Sequence, residues 1–274
     1  GLDEGYGINA QAITELADAG AKVIVSVDCG ITAVAPALVA RARGVDLIIT
    51  DHHEWAVDGS GAASLPDAFT LVHPRLPGAD GSPCAYPFGE LCGAGVAYKL
   101  AWRMATMHSG GDRVGDDLRR TLLELLALAS LGVIADVVPL VGENRVIARF
   151  GLERIKHSPL VGLRALVEAS GLAGEKVDAF DVGFKLAPRL NAAGRMGHAR
   201  DALELFTTTD PRRAAELADA LSVQNLARQT VERAILESAL EFAQRAGMTA
   251  PDRRAIVLAD DGWHAGVVGI VCSR

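Results

Sequence analysis

The stretch VIVSVDCG, residues 23–30, sets the tightest limit on how this chain can fold. Its apolar, mostly β-branched run reads as a buried strand, and a carboxylate, Asp28, stops it. Further along, VDLIITDHHEW repeats the pattern: Asp46 opens a short apolar run, and Asp51, His52 and His53 close it. Between the two, ITAVAPALVARARG has apolar residues at helical spacing and ends at Gly44. Strand, helix, strand implies a parallel pair joined by a right-handed crossover. Ligands of open parallel sheets gather beyond the carboxyl ends of the strands. Asp28 and the run 51–53 are therefore expected at one edge, each at an exposed strand tip rather than inside the buried run.

The rest of the chain is compatible with that nucleus. A hydrophobic share of 50% over 274 residues, with 22% charged, supports a sizeable core in one large or two smaller domains. A net charge of −7 argues against a protein that coats nucleic acid through a general positive field, while leaving room for a local basic groove. Cysteines at 29, 84, 92 and 272 form no CxxC pair, so reduced thiols are expected rather than a zinc knuckle or disulfide framework. No stretch approaches the roughly 18 apolar residues of a membrane span, and no secretory signal opens the chain, so the expected location is the cytoplasm, away from membranes. Gly1 is not an initiator Met, and Arg274 closely follows a new strand-like run, so a piece of a longer protein is expected.

INAQAITELADAG, from residue 8, predicts a first helix stopped by Gly20. Residues 56–92 are rich in Gly, Pro, Asp and Ser and read as an irregular connection with a strand candidate at 69–73. Helical patterns follow at 93–108 and 117–131, and LGVIADVVPL places Asp136 just after a helix. From Asp210, an N-cap followed by Pro at the first helical position, the sequence runs without internal Gly to Gly247. That predicts a helix of about 36 residues, roughly 54 Å long, expected to bridge two domains. RRAIVLAD at 253–260 is then expected to be the first strand of a second α/β domain.

Asp28, Asp51, His52, His53 and Asp136 form the candidate site. Carboxylate and imidazole donors without thiolates suit manganese, magnesium, iron or zinc, with the balance toward the harder ions. Two such ions can activate a water and stabilise the leaving oxygen of a phosphodiester. The plainer reading is that each Asp caps the helix that follows and the histidines are polar loop residues. Alternation along an extended chain predicts that His52 and His53 point to different sides, one toward a metal and the other toward a phosphate.

Here VDCG, DHH and GVIADVVPL resemble the second, third and fourth motifs of the DHH phosphoesterases. EGYGIN, LCGAGVAYKL, FKLAPRLNAAGRMGHA and GWHAGVVGIVCSR, in that order, resemble the family's single-strand-specific exonucleases, and the likeness runs over essentially the whole chain. It implies a division into a catalytic DHH domain at 1–205, a connecting helix at 206–247 and the start of a DHH-associated domain at 248–274. Asp28, His52 and Asp136 would ligate Mn2+ or Mg2+, Asp51 would support them, and His53 would hold the scissile phosphate. The family's first motif, an Asp-x-Asp pair ending a strand, should precede EGYGIN. Without its carboxylates, residues 1–274 alone are expected to bind metal weakly and to have little activity.

The implied activity is 5′ to 3′ hydrolysis of single-stranded DNA to mononucleotides in repair and recombination, by a monomer that meets a single-strand-binding protein and a helicase. Lys185, Arg189, Asn191, Arg195, His198 and Arg200, set among small residues, are expected to line a strand-binding groove. Trp263 can stack on a base or simply pack, and with His264, Ser273 and Arg274 is assigned to the DNA strand, the last two to its terminal phosphate. LCGAGVAYKL reads as helix packing. Two rival functions remain: a DHH-family phosphodiesterase or pyrophosphatase for small phosphates, and a non-catalytic scaffold that binds single-stranded DNA.

Overall fold

The structure, a computed structural model, describes residues 7–78, 81–196 and 199–273. Asn9 caps the first helix, α1 (Ala10–Asp18), its side chain accepting the Ala12 N–H at 2.8 Å. The strand–helix–strand unit follows as β1 (Val23–Val27), α2 (Val34–Ala42) and β2 (Asp46–Thr50). β1 and β2 run parallel, Val23 opposite Asp46 and Val27 opposite Thr50. A small hairpin of β3 (Ala56–Val57) and β4 (Ala63–Ser64) precedes β5 (Thr70–Val72). β5 pairs parallel with β2, giving a three-stranded sheet of order β1–β2–β5 flanked by helices. Ile13 of α1, Ala37 and Ala40 of α2, and Leu47 and Ile49 of β2 make the core beneath it. Burying each of the three large aliphatic side chains contributes about 1.5–3 kcal/mol relative to leaving it in water.

α3 (Gly93–His108), α4 (Asp116–Ala135) and α5 (Gly142–Ile155) build a second core around Leu91, Val96, Leu126, Val133 and Ile147. The chain continues through α6 (Val161–Ala169), α7 (Ala179–Asp181), a π-helical turn at Val182–Leu186, α8 (Ala187–Met196), α9 (Ala199–Thr207), α10 (Pro211–Arg245) and α11 (Ala265–Val271). Two compact units result. The first runs to Pro159 and takes in Gly174–Gly183; the second holds Leu160–Ala173 and the chain from Phe184 onward.

α10 is the long helix expected from the text, 35 residues with Asp210 as its cap and Pro211 in its first turn. Within the second unit α6, α8, α9 and α11 pack along it. Over 253–260, expected as the first strand of a second domain that the chain leaves unfinished, no strand pairing forms among the described residues, and Ile256 and Val257 are 54% and 79% exposed. All four cysteines are free thiols. Among the described residues no helix is long and apolar enough to cross a membrane.

Candidate metal centre

The parallel β1–β2 pair brings the two motif ends side by side, and the ladder runs one bond past β1, with the Asp28 N–H donating to the Thr50 carbonyl at 2.9 Å. Asp28 then takes a left-handed backbone, φ 64°, a conformation uncommon for residues other than Gly and tolerated best by Asn and Asp. Its carboxylate lies against the first residue of α3, Gly93: a Cβ there would fall 2.1 Å from Asp28 Oδ1. The glycine of LCGAG thus clears the space the carboxylate occupies, which its reading as packing missed; the signal available was a glycine pair at a helix start.

Asp51 plays a different part. Its side chain is 2% exposed. Oδ2 accepts the Ile31 N–H at 2.9 Å, while Oδ1 accepts the N–H groups of His52 and His53 at 2.8 and 3.2 Å and lies 2.6 Å from His53 Nδ1. Burial works against its ionisation, but these donors together hold the carboxyl below the usual carboxylate range. An ionised Oδ1 needs a proton on His53 Nδ1, which leaves Nε2 of that ring as the electron-pair donor.

These bonds overturn the expectation that the two histidines diverge. Alternation holds only along a strand, and β2 stops at Thr50. Asp51 curls the next two residues around its own oxygen, so the rings lie on the same side with centroids 4.4 Å apart. Donor atoms of Asp28, His52 and His53 all lie within 4.8 Å of one another. Asp136, the C-cap of α4, adds a further carboxylate, its Oδ2 3.5 Å from His52 Nε2.

His52 Nε2 is the pivot of the group. It is buried and ion-pairs with Asp28 Oδ1 at 3.1 Å, in a bent contact short of ideal hydrogen-bond geometry. Asp28 first, and then the Asp136 charge, raise the imidazole above its ordinary value although burial opposes this. Burial, assisted by the charge of Asp28, pushes the Asp136 carboxyl up. Two carboxylates crowded on one buried imidazole nitrogen are an arrangement that a hard divalent cation satisfies, with oxygen and imidazole donors of the right kind. The chain's own residues therefore fit a metal of the manganese or magnesium class.

The second unit treats its cations otherwise. Arg189 donates from Nε to Ser222 Oγ at 3.1 Å and from Nη1 to the Lys185 carbonyl at 2.6 Å, and burial pushes the guanidinium below its ordinary value. Arg195 donates to the Gly266 carbonyl at 2.9 Å, while Asn191 and Arg200 are exposed. Trp263 packs with Met196, Ile235, Val267 and Val271. His264 caps α11, accepting the Gly266 N–H on Nδ1 at 3.1 Å, and the Ser273 hydroxyl donates to the Ile270 carbonyl. His198 and Arg274 lie outside the described residues.

Residues 4–130 match the family model described as the DHH family, N-terminal domain. Over 271 residues, 99% of this chain, the sequence is 43% identical to the single-stranded-DNA-specific exonuclease RecJ of Bacillus subtilis (strain 168), of which it spans 31%. A crystal structure of exonuclease RecJ bound to manganese matches with a TM-score of 0.79 at 38% identity, covering 99% of this chain and 62% of that one. RecJ from Thermus thermophilus in complex with Mg2+ matches with a TM-score of 0.61 at 35% identity, covering 96% and 40%. The chain thus spans less than two thirds of these relatives.

Proposed function

We propose, for a chain that carries a DHH-family N-terminal domain across residues 4–130, that the whole protein is a metal-dependent exonuclease. It hydrolyses single-stranded DNA from the 5′ end to mononucleotides, in the cytoplasm and in the service of repair and recombination. Single-stranded DNA is the substrate named for the Bacillus relative, and the matching RecJ structures hold manganese and magnesium. A monomer working beside a single-strand-binding protein and a helicase completes the reading.

The observation that carries it is the convergence of Asp28 and Asp136 on the buried His52 Nε2, with a His53 donor atom within 4.8 Å of those of Asp28 and His52. Asp28, His52 and Asp136 would hold the ion, and Asp51 orients the turn that presents the histidines. A bound divalent ion supplies positive charge that polarises the phosphoryl oxygens and acidifies a water. His53, with Nδ1 fixed by Asp51, presents Nε2 toward the phosphate and can accept a proton there. Lys185, Arg189, Asn191, Arg195, His198, Arg200, Trp263, His264, Ser273 and Arg274 are the proposed DNA contacts. The two arginines already held by their own unit would meet the strand only with donors they do not use internally.

The test is hydrolysis of a 5′-labelled single strand by the full-length protein with Mn2+ and after chelation, beside a dinucleotide and pyrophosphate. Metal-dependent release of mononucleotides from the long strand supports the proposal. Turnover of the small phosphates alone favours the small-substrate hydrolase, and binding of the strand without any turnover favours the scaffold.

A further inference from the structure

Asp51 accounts for the N–H groups of His52 and His53. Their carbonyls raise the complementary question, because residues past the end of β2 have no ladder to accept a bond from, and backbone carbonyls near a cation cluster need a fixed partner if the side chains are to stay aimed. Both partners come from one short stretch, VHPR, immediately after β5. Arg75 Nη2 donates to the His52 carbonyl at 2.7 Å, and His73 Nε2 lies 2.9 Å from the His53 carbonyl.

The tautomer of His73 follows from its other nitrogen. The Arg75 N–H donates to His73 Nδ1 at 3.1 Å, so Nδ1 is an acceptor and the neutral ring carries its proton on Nε2, where it can donate to His53. The ring is set edge to face against Trp55, centroids 5.6 Å apart. Arg75 also pairs with Glu54, and its stem passes over Gly89, where a Cβ would come within 2.9 Å of Cγ. Every backbone N–H and C=O of His52 and His53 is thus held by a side chain: the N–H groups by Asp51, the carbonyls by Arg75 and His73.

We propose that His73 and Arg75 are positioning residues of the candidate metal centre, clamping the carbonyls of His52 and His53 so that both imidazoles stay aimed at one point. Neither residue touches the ion or the phosphate; they act through the backbone of the residues that do. Partners of this kind, outside the direct ligands, typically cost about 10–100-fold in metal affinity when removed. The inference rests on the metal-centre reading, and its test separates the two.

The full-length protein would be titrated with Mn2+ alone, following the free-ion signal by electron paramagnetic resonance, and its melting would be recorded in chelator. Five forms are compared: wild type, Asp28→Asn, Arg75→Met, His73→Phe and His73→Gln. Arg75→Met keeps the stem without the donors. His73→Phe keeps the ring against Trp55 without either hydrogen bond, and His73→Gln restores an amide donor at similar reach. Expected are near-complete loss of tight binding in Asp28→Asn and about 10-fold or greater weakening in Arg75→Met and His73→Phe. His73→Gln should recover most of the affinity, with melting in chelator shifted only slightly. Wild-type affinity in Arg75→Met and His73→Phe, alongside loss in Asp28→Asn, overturns the clamp and leaves the centre standing. Equal binding by wild type and Asp28→Asn overturns both. Should His73→Phe fail to fold, Arg75→Met decides alone.

Discussion

The strand-tip cluster of the first unit and the arginines of α8 in the second handle their ionisable side chains in opposite ways. At the strand tips, Asp28 and Asp136 converge on the buried His52 Nε2 at 3.1 and 3.5 Å. On α8, Arg189 and Arg195 bond to Ser222, to the Lys185 carbonyl and to the Gly266 carbonyl. The first arrangement gathers two carboxylates on one imidazole, a negative cluster that an added cation would neutralise. The second spends its charge on holding its own helices, so cationic residues in the sequence are weaker evidence for a ligand than carboxylates crowded on one imidazole.

That contrast can be broken most decisively at His52. His52→Ala should reduce Mn2+ affinity and strand hydrolysis by more than about 100-fold, beyond the 10–100-fold that outer partners command. Calorimetric titration and a labelled-strand assay on the full-length protein check it. Gly93→Ala is the next largest. A methyl group 2.1 Å from Asp28 Oδ1 must displace the carboxylate, so metal affinity should fall about 10-fold or more while helicity by circular dichroism stays unchanged.

Asp51→Ala probes stability rather than ligation. It removes the acceptor of four donors at a buried site and should cost about 3 kcal/mol in urea unfolding. The same carboxylate has an acid signature. Its folded pKa lies below the ordinary 3.8, so its contribution is complete above that value and is lost as pH falls from there through the folded pKa. Asp51→Asn should therefore flatten the acid limb of stability below pH 3.8 and leave neutral-to-alkaline behaviour unchanged. Smallest of all, Arg195→Ala should weaken binding of single-stranded DNA more at low salt than at high and reduce the salt slope by about 1 if the side chain meets a phosphate. An unchanged slope would assign Arg195 wholly to the Gly266 carbonyl and sharpen the contrast between the units.

The legible part of this molecule was the part governed by local periodicity and strand ends. The apolar runs at 23–27 and 46–50 gave a parallel pair, and that pairing is enough to bring Asp28 beside the 51–53 turn. The long helix from Asp210 was equally plain, because a cap, a proline and an uninterrupted pattern sit in one stretch. What stayed hidden depends on packing between distant segments. Gly93 matters only because a left-handed Asp28 turns its carboxylate onto that spot, and His73 and Arg75 matter because β5 ends beside the turn. Side-chain direction departs from expectation where a strand rule is carried past the strand's end, and RRAIVLAD finds no pairing partner among the described residues.

The bond from the Asp28 amide to the Thr50 carbonyl turns two loop beginnings into a single mechanical body. One proton therefore reports on both. Its hydrogen-exchange rate would follow whether the tips open together, and slowing of that amide on addition of manganese would register occupancy of the cluster without any assay of catalysis.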